Sequence, residues 1–163
     1  MARWNVGILT SSDKGARGER EDLSGQVIRE MVLDVDMEVT EYIVIPDEFA
    51  IIRDALLSFC DDAQLDLIVT TGGTGLAARD VTPEATLAVI EREVPGMAEA
   101  MRAASLAKTR FAMLSRAVVG TRGKTLIINL PGSPKGVREC LEVVLPVVPH
   151  ALEILQGTVG EHK

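Results

Sequence analysis

Aromatic side chains are scarce in this chain: one Trp, one Tyr and three Phe in 163 residues. A core built from it must be aliphatic. So few rings leave little on which to stack bases, which argues against single-stranded nucleic acid as a partner. Cysteine is limited to Cys60 and Cys140, which form no CxxC pair and read as reduced thiols of a cytoplasmic protein. The two histidines, His150 and His162, lie near the C-terminus and supply no zinc-ligand spacing. No apolar run reaches the ~18 residues of a membrane span. Polar Ser11-Ser12-Asp13 interrupts any signal-like stretch after Arg3. The net charge of -7 opposes nonspecific attraction to phosphate polymers or anionic membranes.

Acidic residues are also missing locally. Between Ala100 and Arg138 there is no Asp or Glu, while Arg102, Lys108, Arg110, Arg116, Arg122, Lys124, Lys135 and Arg138 all fall there. The rest of the chain holds 9 basic and 24 acidic residues. Each cation alone is as readily a solvated helix face as a ligand contact. Together they suggest a local anion site on an acidic protein.

The chain is long enough for one domain with a substantial core, and it shows no repeat, linker or low-complexity segment; residues 1–163 read as a single domain. Trp4 to Thr10, Met37 to Ile45 and Leu65 to Thr70 read as strands. Helical spacing runs from Leu23 to Leu33 and from Pro46-Asp47-Glu48 to Phe59. Ser11 to Asp22 reads as a mobile polar loop. Strands alternating with helices imply right-handed crossovers and a mainly parallel sheet, an α/β fold. In the second half, Pro83 to Glu91 and Met97 to Lys108 read as helices separated by Pro95-Gly96. Ala117 to Val119 and Thr125 to Asn129 read as a hairpin, Ser133-Pro134 starts another helical region, and Pro146 and Pro149 divide it.

The informative segment is Thr71-Gly72-Gly73-Thr74-Gly75, directly after a buried-strand pattern. Glycines at a strand's carboxyl end let the main chain approach an anionic ligand, at the edge where open α/β sheets bind. The loop misses the GxGxxG fingerprint, because Ala78 stands where the last glycine belongs. Gly123-Lys124-Thr125 resembles the end of a P-loop, but its first glycine would fall on Val118 and a strand follows. Pro131-Gly132-Ser133-Pro134-Lys135-Gly136 is a second such loop, read either as a capped turn or as a phosphate-binding helix start with Lys135 adding charge. Asp47 and Asp80 each lie near a helix start and read singly as caps. Together they suit Mg²⁺, which needs one or two carboxylates plus phosphates and water. Ser12-Asp13, ending the first strand, offers either a third ligand or an Asx turn.

The ordered set Ile45-Pro46-Asp47-Glu48, Thr71 to Gly75, Arg79-Asp80-Val81-Thr82-Pro83-Glu84-Ala85-Thr86, Met113-Leu114-Ser115-Arg116 and Asn129 to Lys135 resembles the molybdopterin adenylyltransferases of the Mog/MoaB type and the G domain of gephyrin. The likeness runs from about Trp4 to Gln156. It implies a three-layer αβα fold with a mainly parallel mixed sheet, and a homotrimer. It also implies Mg²⁺-dependent transfer of AMP from ATP to the terminal phosphate of molybdopterin, with release of pyrophosphate and delivery of the product to a molybdenum insertase. By position, Asp47 and Asp80 match the two functional acids and the metal site. The Thr71, Gly72, Gly73, Thr74, Gly75 loop, with Ser12, falls on the nucleotide side. Ser105, Ser115, Asn129, Pro131 and Gly132 match pterin contacts, which Ser133 and Lys135 extend. Lys135 and Arg116 are candidate cations for the transferred phosphate, and Arg79 a candidate partner of Asp80. The alternative is a noncatalytic pterin-binding or scaffolding module, against which the intact acid pair argues. A nucleotide hydrolase of the competence-damage type has no specific support in these residues.

Overall fold

The structure, a computed structural model, describes residues 4–158. Four parallel strands form most of one sheet: β1 (Trp4–Ser11), β2 (Met37–Ile45), β3 (Leu67–Thr71) and β6 (Thr125–Leu130), with β2 at one edge. Two short antiparallel strands, β4 (Arg92–Glu93) and β5 (Val119–Arg122), complete one edge. The order is β2-β1-β3-β6-β5-β4. The chain therefore passes outward from β1 to β2, then returns across β1 to β3. That reversal makes a topological switch between β1 and β3, and the crevice at the strands' carboxyl ends is where such sheets take ligands.

Side-chain alternation along the strands splits the core into two layers. Val6, Ile8, Leu67, Val69, Leu126, Ile128 and Leu130 face α2 (Leu23–Leu33), α5 (Pro95–Leu106), α6 (Pro134–Val144) and α7 (Val148–Gln156). Leu9, Ile68 and Ile127 face α3 (Phe49–Leu57), the π-helical turn Ser58–Asp62 and α4 (Thr82–Leu87). The central strands β1, β3 and β6 are buried on both faces along nearly all their length, which is why they are rich in aliphatic residues and carry no charged side chain. The result is the expected three-layer αβα arrangement.

Several boundaries differ from the sequence reading, each for a local reason. Ser11 to Asp22 is not all loop: Asp13–Ala16 forms a helical turn, α1, capped by the Ser12 side chain accepting from the Gly15 N–H. Pro95 does not break a helix; it starts α5 at a position where no N–H is needed, and the two-residue β4 precedes it. Helix α4 ends at Leu87, four residues before Glu91. The hairpin runs further, pairing Arg122 with Thr125 around Gly123-Lys124, with Gly123 at φ 56°. Leu145–Val147 forms a 3₁₀ turn between α6 and α7, with Pro146 and Pro149 each near the start of its own element.

Ile128 sits fully buried in the central strand β6. Ile128→Ala should cost about 2–5 kcal/mol of stability, read from urea unfolding. A loss under about 1 kcal/mol would contradict this packing.

Candidate active site

The four parallel strands end at one level, since Ser11 pairs with Ile45, Thr10 with Thr71, and Thr71 with Leu130. The segments leaving these ends build the site. Gly72 adopts φ 93°, a conformation open to glycine, and a Cβ on it would overlap the Ser11 carbonyl oxygen. Gly73 follows at φ 71°, with the Thr82 hydroxyl where its Cβ would stand. The Thr71 hydroxyl donates to the Pro131 carbonyl at 2.6 Å, and Ser24 donates to the Gly132 carbonyl at 2.7 Å. The first glycine loop, the Pro131-Gly132 turn and the start of α2 are thus tied together.

Asp47 is not a helix cap. The N-cap of α3 is Glu48, which makes no side-chain capping bond. Instead the Asp47 carboxylate reaches back to the end of β1, accepting from the Ser11 hydroxyl at 2.5 Å and from the Asp13 N–H at 3.0 Å. Asp13 returns the bond, its carboxylate accepting from the Asp47 N–H at 3.0 Å. Asp80 does not cap α4 either; its carboxylate accepts from the Ala77 N–H at 2.9 Å and closes its own turn. Both carboxylates line one polar cavity of about 700 Å³ together with Ser11, Ser12, Thr71, Gly72, Gly73, Gly132 and Ser133. Among the described residues, no group of three or more His, Cys, Asp or Glu side chains is arranged to hold a metal. Asp47 and Asp80, two of the four acids that border this cavity with Glu21 and Asp22, suit a hard cation that takes its other ligands from phosphate and water.

A second cavity, about 300 Å³, lies against the first. Ser105, Ser115, Asn129 and Pro131 line it, with Met101 and Phe111 supplying apolar surface. Ser133 borders both cavities. Thr74 and Gly75 line the second rather than the first, so the glycine loop forms the wall between them. Asn129 is fully buried, its amide donating to Thr70 and Thr86 at 3.0 Å and its carbonyl accepting from the Val118 N–H at 3.1 Å. Ser133 caps α6, accepting from the Gly136 N–H at 3.0 Å.

The candidate cations are placed differently from the sequence reading. Lys135 is 87% exposed, lies 4.0 Å from Glu139 and lines neither cavity. Arg116 is a strap, donating to the carbonyls of Gly75 and Asp80 at 2.8 and 2.7 Å and pairing with Glu84. Arg79 pairs with Asp13, not Asp80, through two bonds of 2.6 and 2.9 Å. This pairing, then the Asp47 N–H, holds the Asp13 carboxyl down at about 2. Arg102, which the sequence marks only as one of the eight clustered cations, lines the second cavity and donates to the carbonyls of Ser115 and Ala117. Sequence reasoning missed Asp22, which accepts from Thr10 at 2.6 Å and from Tyr42 at the rim of the first cavity. Burial, then the Asp22 bond, raises the Tyr42 phenol. These contacts join residues up to dozens of positions apart, and no local pattern announces them.

Neither cysteine offers a nucleophile. Burial pushes the Cys60 thiol up to about 11 and raises Cys140 as well. The two cavities are lined by glycines, hydroxyls, carboxylates and the guanidinium groups of Arg20 and Arg102. Such a set can hold anions, and a cation between them, but it has no activated side-chain nucleophile.

Comparison with known proteins agrees with this geometry. Residues 7–150 match the family described as "Probable molybdopterin binding domain". The chain is 46% identical over 159 residues to the molybdopterin adenylyltransferase of Helicobacter pylori J99, covering 96% of this chain and 90% of that protein. It is 42% identical over 164 residues to gephyrin of Dictyostelium discoideum, covering 94% of this chain and 23% of that longer protein. The crystal structure of the molybdopterin biosynthesis enzyme MoaB from Thermus thermophilus superposes with a TM-score of 0.90 at 57% identity, covering 95% and 98% of the two chains. By its strand order, its paired loops and the match across residues 7–150, this chain belongs to the molybdopterin-binding domain family.

Proposed function

We propose that this chain is a molybdopterin adenylyltransferase of molybdenum cofactor biosynthesis, transferring AMP from ATP to the terminal phosphate of molybdopterin and releasing pyrophosphate. The observation that carries this reading is the convergence of Asp47, Asp80 and both glycine turns on one cavity, with a second cavity immediately beside it. The reaction needs two anions brought together in line. Positioning and charge neutralisation dominate such transfers, and the phosphate nucleophile is already anionic near neutral pH. The absence of an activated Ser, Cys or His in the described site therefore leaves the chemistry unimpaired.

In this reading the nucleotide occupies the polar cavity, against the Gly72-Gly73 backbone and Ser12. Molybdopterin occupies the smaller cavity, whose apolar walls suit a pterin and whose hydroxyls at Ser105 and Ser115 suit its polar edge. The Ser133 cap, bordering both, receives the phosphate at the start of α6. Asp47 and Asp80 are the residues that would hold Mg²⁺. They fit it: each carboxylate oxygen of Asp47 takes one described hydrogen bond, and a carboxylate has about four acceptor positions. The ion would supply charge neutralisation on the transferring phosphate. The Asp13–Arg79 pair and the Arg116 strap keep the two turns in place. A homotrimer, a cytoplasmic location and a molybdenum insertase as recipient complete the proposal. Among the described residues, no helix is long and apolar enough to cross a membrane.

Asp47→Asn keeps one carbonyl oxygen to accept from the Asp13 N–H and turns its amide N–H toward the Ser11 hydroxyl, which then accepts, while the charge is lost. It should lower pyrophosphate release from ATP and molybdopterin by about 10²–10³, with molybdopterin binding intact. A fully active variant, or wild-type turnover independent of Mg²⁺, would remove the acid pair from the chemistry.

The loop strap has its own pH signature. Because the Asp13 carboxyl lies at about 2 in the folded protein against 3.8 ordinarily, its contribution is complete above about pH 4 and disappears as pH falls through about 2. Carboxyl-carbon NMR should find Asp13 titrating near 2, and Arg79→Gln should return it toward 3.8. An unshifted Asp13 in the wild type would mean that the strap is open in solution.

A further inference from the structure

Thr82 carries the one buried side-chain oxygen without a hydrogen-bond partner among the described residues. The residue is fully buried at the first position of α4. Its backbone is spent: the N–H donates to the Gly73 carbonyl at 3.2 Å, and its own carbonyl accepts from the Thr86 hydroxyl at 2.8 Å. Thr86 in turn accepts from Asn129, so a buried polar chain fixes Thr82 from below. Only the hydroxyl is left over. An unpaired buried hydroxyl carries an uncompensated desolvation cost, and valine would fill nearly the same volume without it.

The position of the hydroxyl explains why it is useful there. It lies against Gly73, in the place a side chain on that residue would take. The Asp47 Oδ1 stands 3.5 Å from the same point, on the polar cavity. A carboxylate is an acceptor only, so its orientation depends on the donors around it. In this structure the Asp47 Oδ1 takes the Ser11 hydroxyl. Once a nucleotide and its cation draw on that carboxylate, a further donor behind Gly73 would keep it aligned.

We propose that Thr82 is a positioning residue for Asp47. Its hydroxyl is the donor that reaches the Asp47 carboxylate, directly or through one water, across the space Gly73 leaves open when the nucleotide site is filled. The inference rests on the nucleotidyl-transfer reading of the polar cavity and adds a residue that the acid pair alone does not require.

The test compares wild type with Thr82→Val, Thr82→Ser and Thr82→Ala. Ligand-free melting temperature, calorimetric binding of ATP with Mg²⁺, molybdopterin binding and pyrophosphate release are measured on each. Thr82→Val should melt at or above the wild-type temperature and bind molybdopterin normally. It should bind magnesium-ATP about tenfold more weakly and lose a matching factor in kcat/KM for ATP. Thr82→Ser should restore both nucleotide readouts, and Thr82→Ala should share the valine defect. Wild-type nucleotide binding by Thr82→Val would overturn the inference. So would a nucleotide defect that came with a lowered ligand-free melting temperature or lost molybdopterin binding, because the hydroxyl would then be structural. Failure of the broader reading looks different: the wild type itself would release no pyrophosphate.

Discussion

Everything at the carboxyl edge of this sheet depends on how closely Gly72 approaches the end of β1. Its φ of 93° and the Ser11 carbonyl oxygen at the place of a Cβ leave no room for a side chain. The Gly72 N–H donates to the Leu130 carbonyl at 3.3 Å, so the same residue also joins β6. Three strand ends are thereby drawn into backbone contact. Asp47 then needs only a short reach to the Ser11 hydroxyl, and Thr71 only a short reach to the Pro131 carbonyl. Any larger residue at position 72 would push β1 and β3 apart at the point where the topology reverses.

Few of the chain's cations border this cavity. The basic stretch from Ala100 to Arg138 suggests a cluster of free cations, but the structure uses many of them as internal ties. Arg102 holds the Ser115 and Ala117 carbonyls, Arg116 holds the glycine loop to α4, and Arg122 pairs with Asp61. Lys135 points to solvent. The polar cavity is bordered by glycines and hydroxyl side chains, by four acids, Glu21, Asp22, Asp47 and Asp80, and by a single cation, Arg20, which lies outside the basic stretch. A cation held by the acids would balance the charge that these arginines, committed elsewhere, do not.

The wall between the cavities is a single glycine-threonine loop. On one side Gly72 and Gly73 face the polar space; on the other Thr74 and Gly75 face the smaller, more apolar one. The loop is anchored from behind by a buried chain running through Asn129, Thr86 and Thr82. In a low-dielectric interior such a chain is stiff because each lost bond strands a buried polar group. In the proposed reaction, such rigidity would keep two ligands at a fixed separation, which is what in-line transfer demands.

The sequence alone determined the layers and the edge. The short aliphatic run ending at Thr70 reads as a buried strand, β1 and β6 read as strands beside it, and glycine after Thr71 and Pro131 marks where the chain turns at the strand ends. Ser133 was legible as a cap because its partner is three residues away. Partners of long reach were decided by the tertiary structure. Asp47 looks like a helix cap until β2 is set beside β1, and Arg79 looks like a partner for its neighbour Asp80 until α1 brings Asp13 to it. Asn129 matches a pterin contact by resemblance and borders the second cavity, but its bonds to Thr70, Thr86 and the Val118 N–H emerge only in the fold. Local spacing encodes which face a residue takes, but the identity of a hydrogen-bond partner dozens of residues away depends on strand order and register, which only the folded sheet fixes.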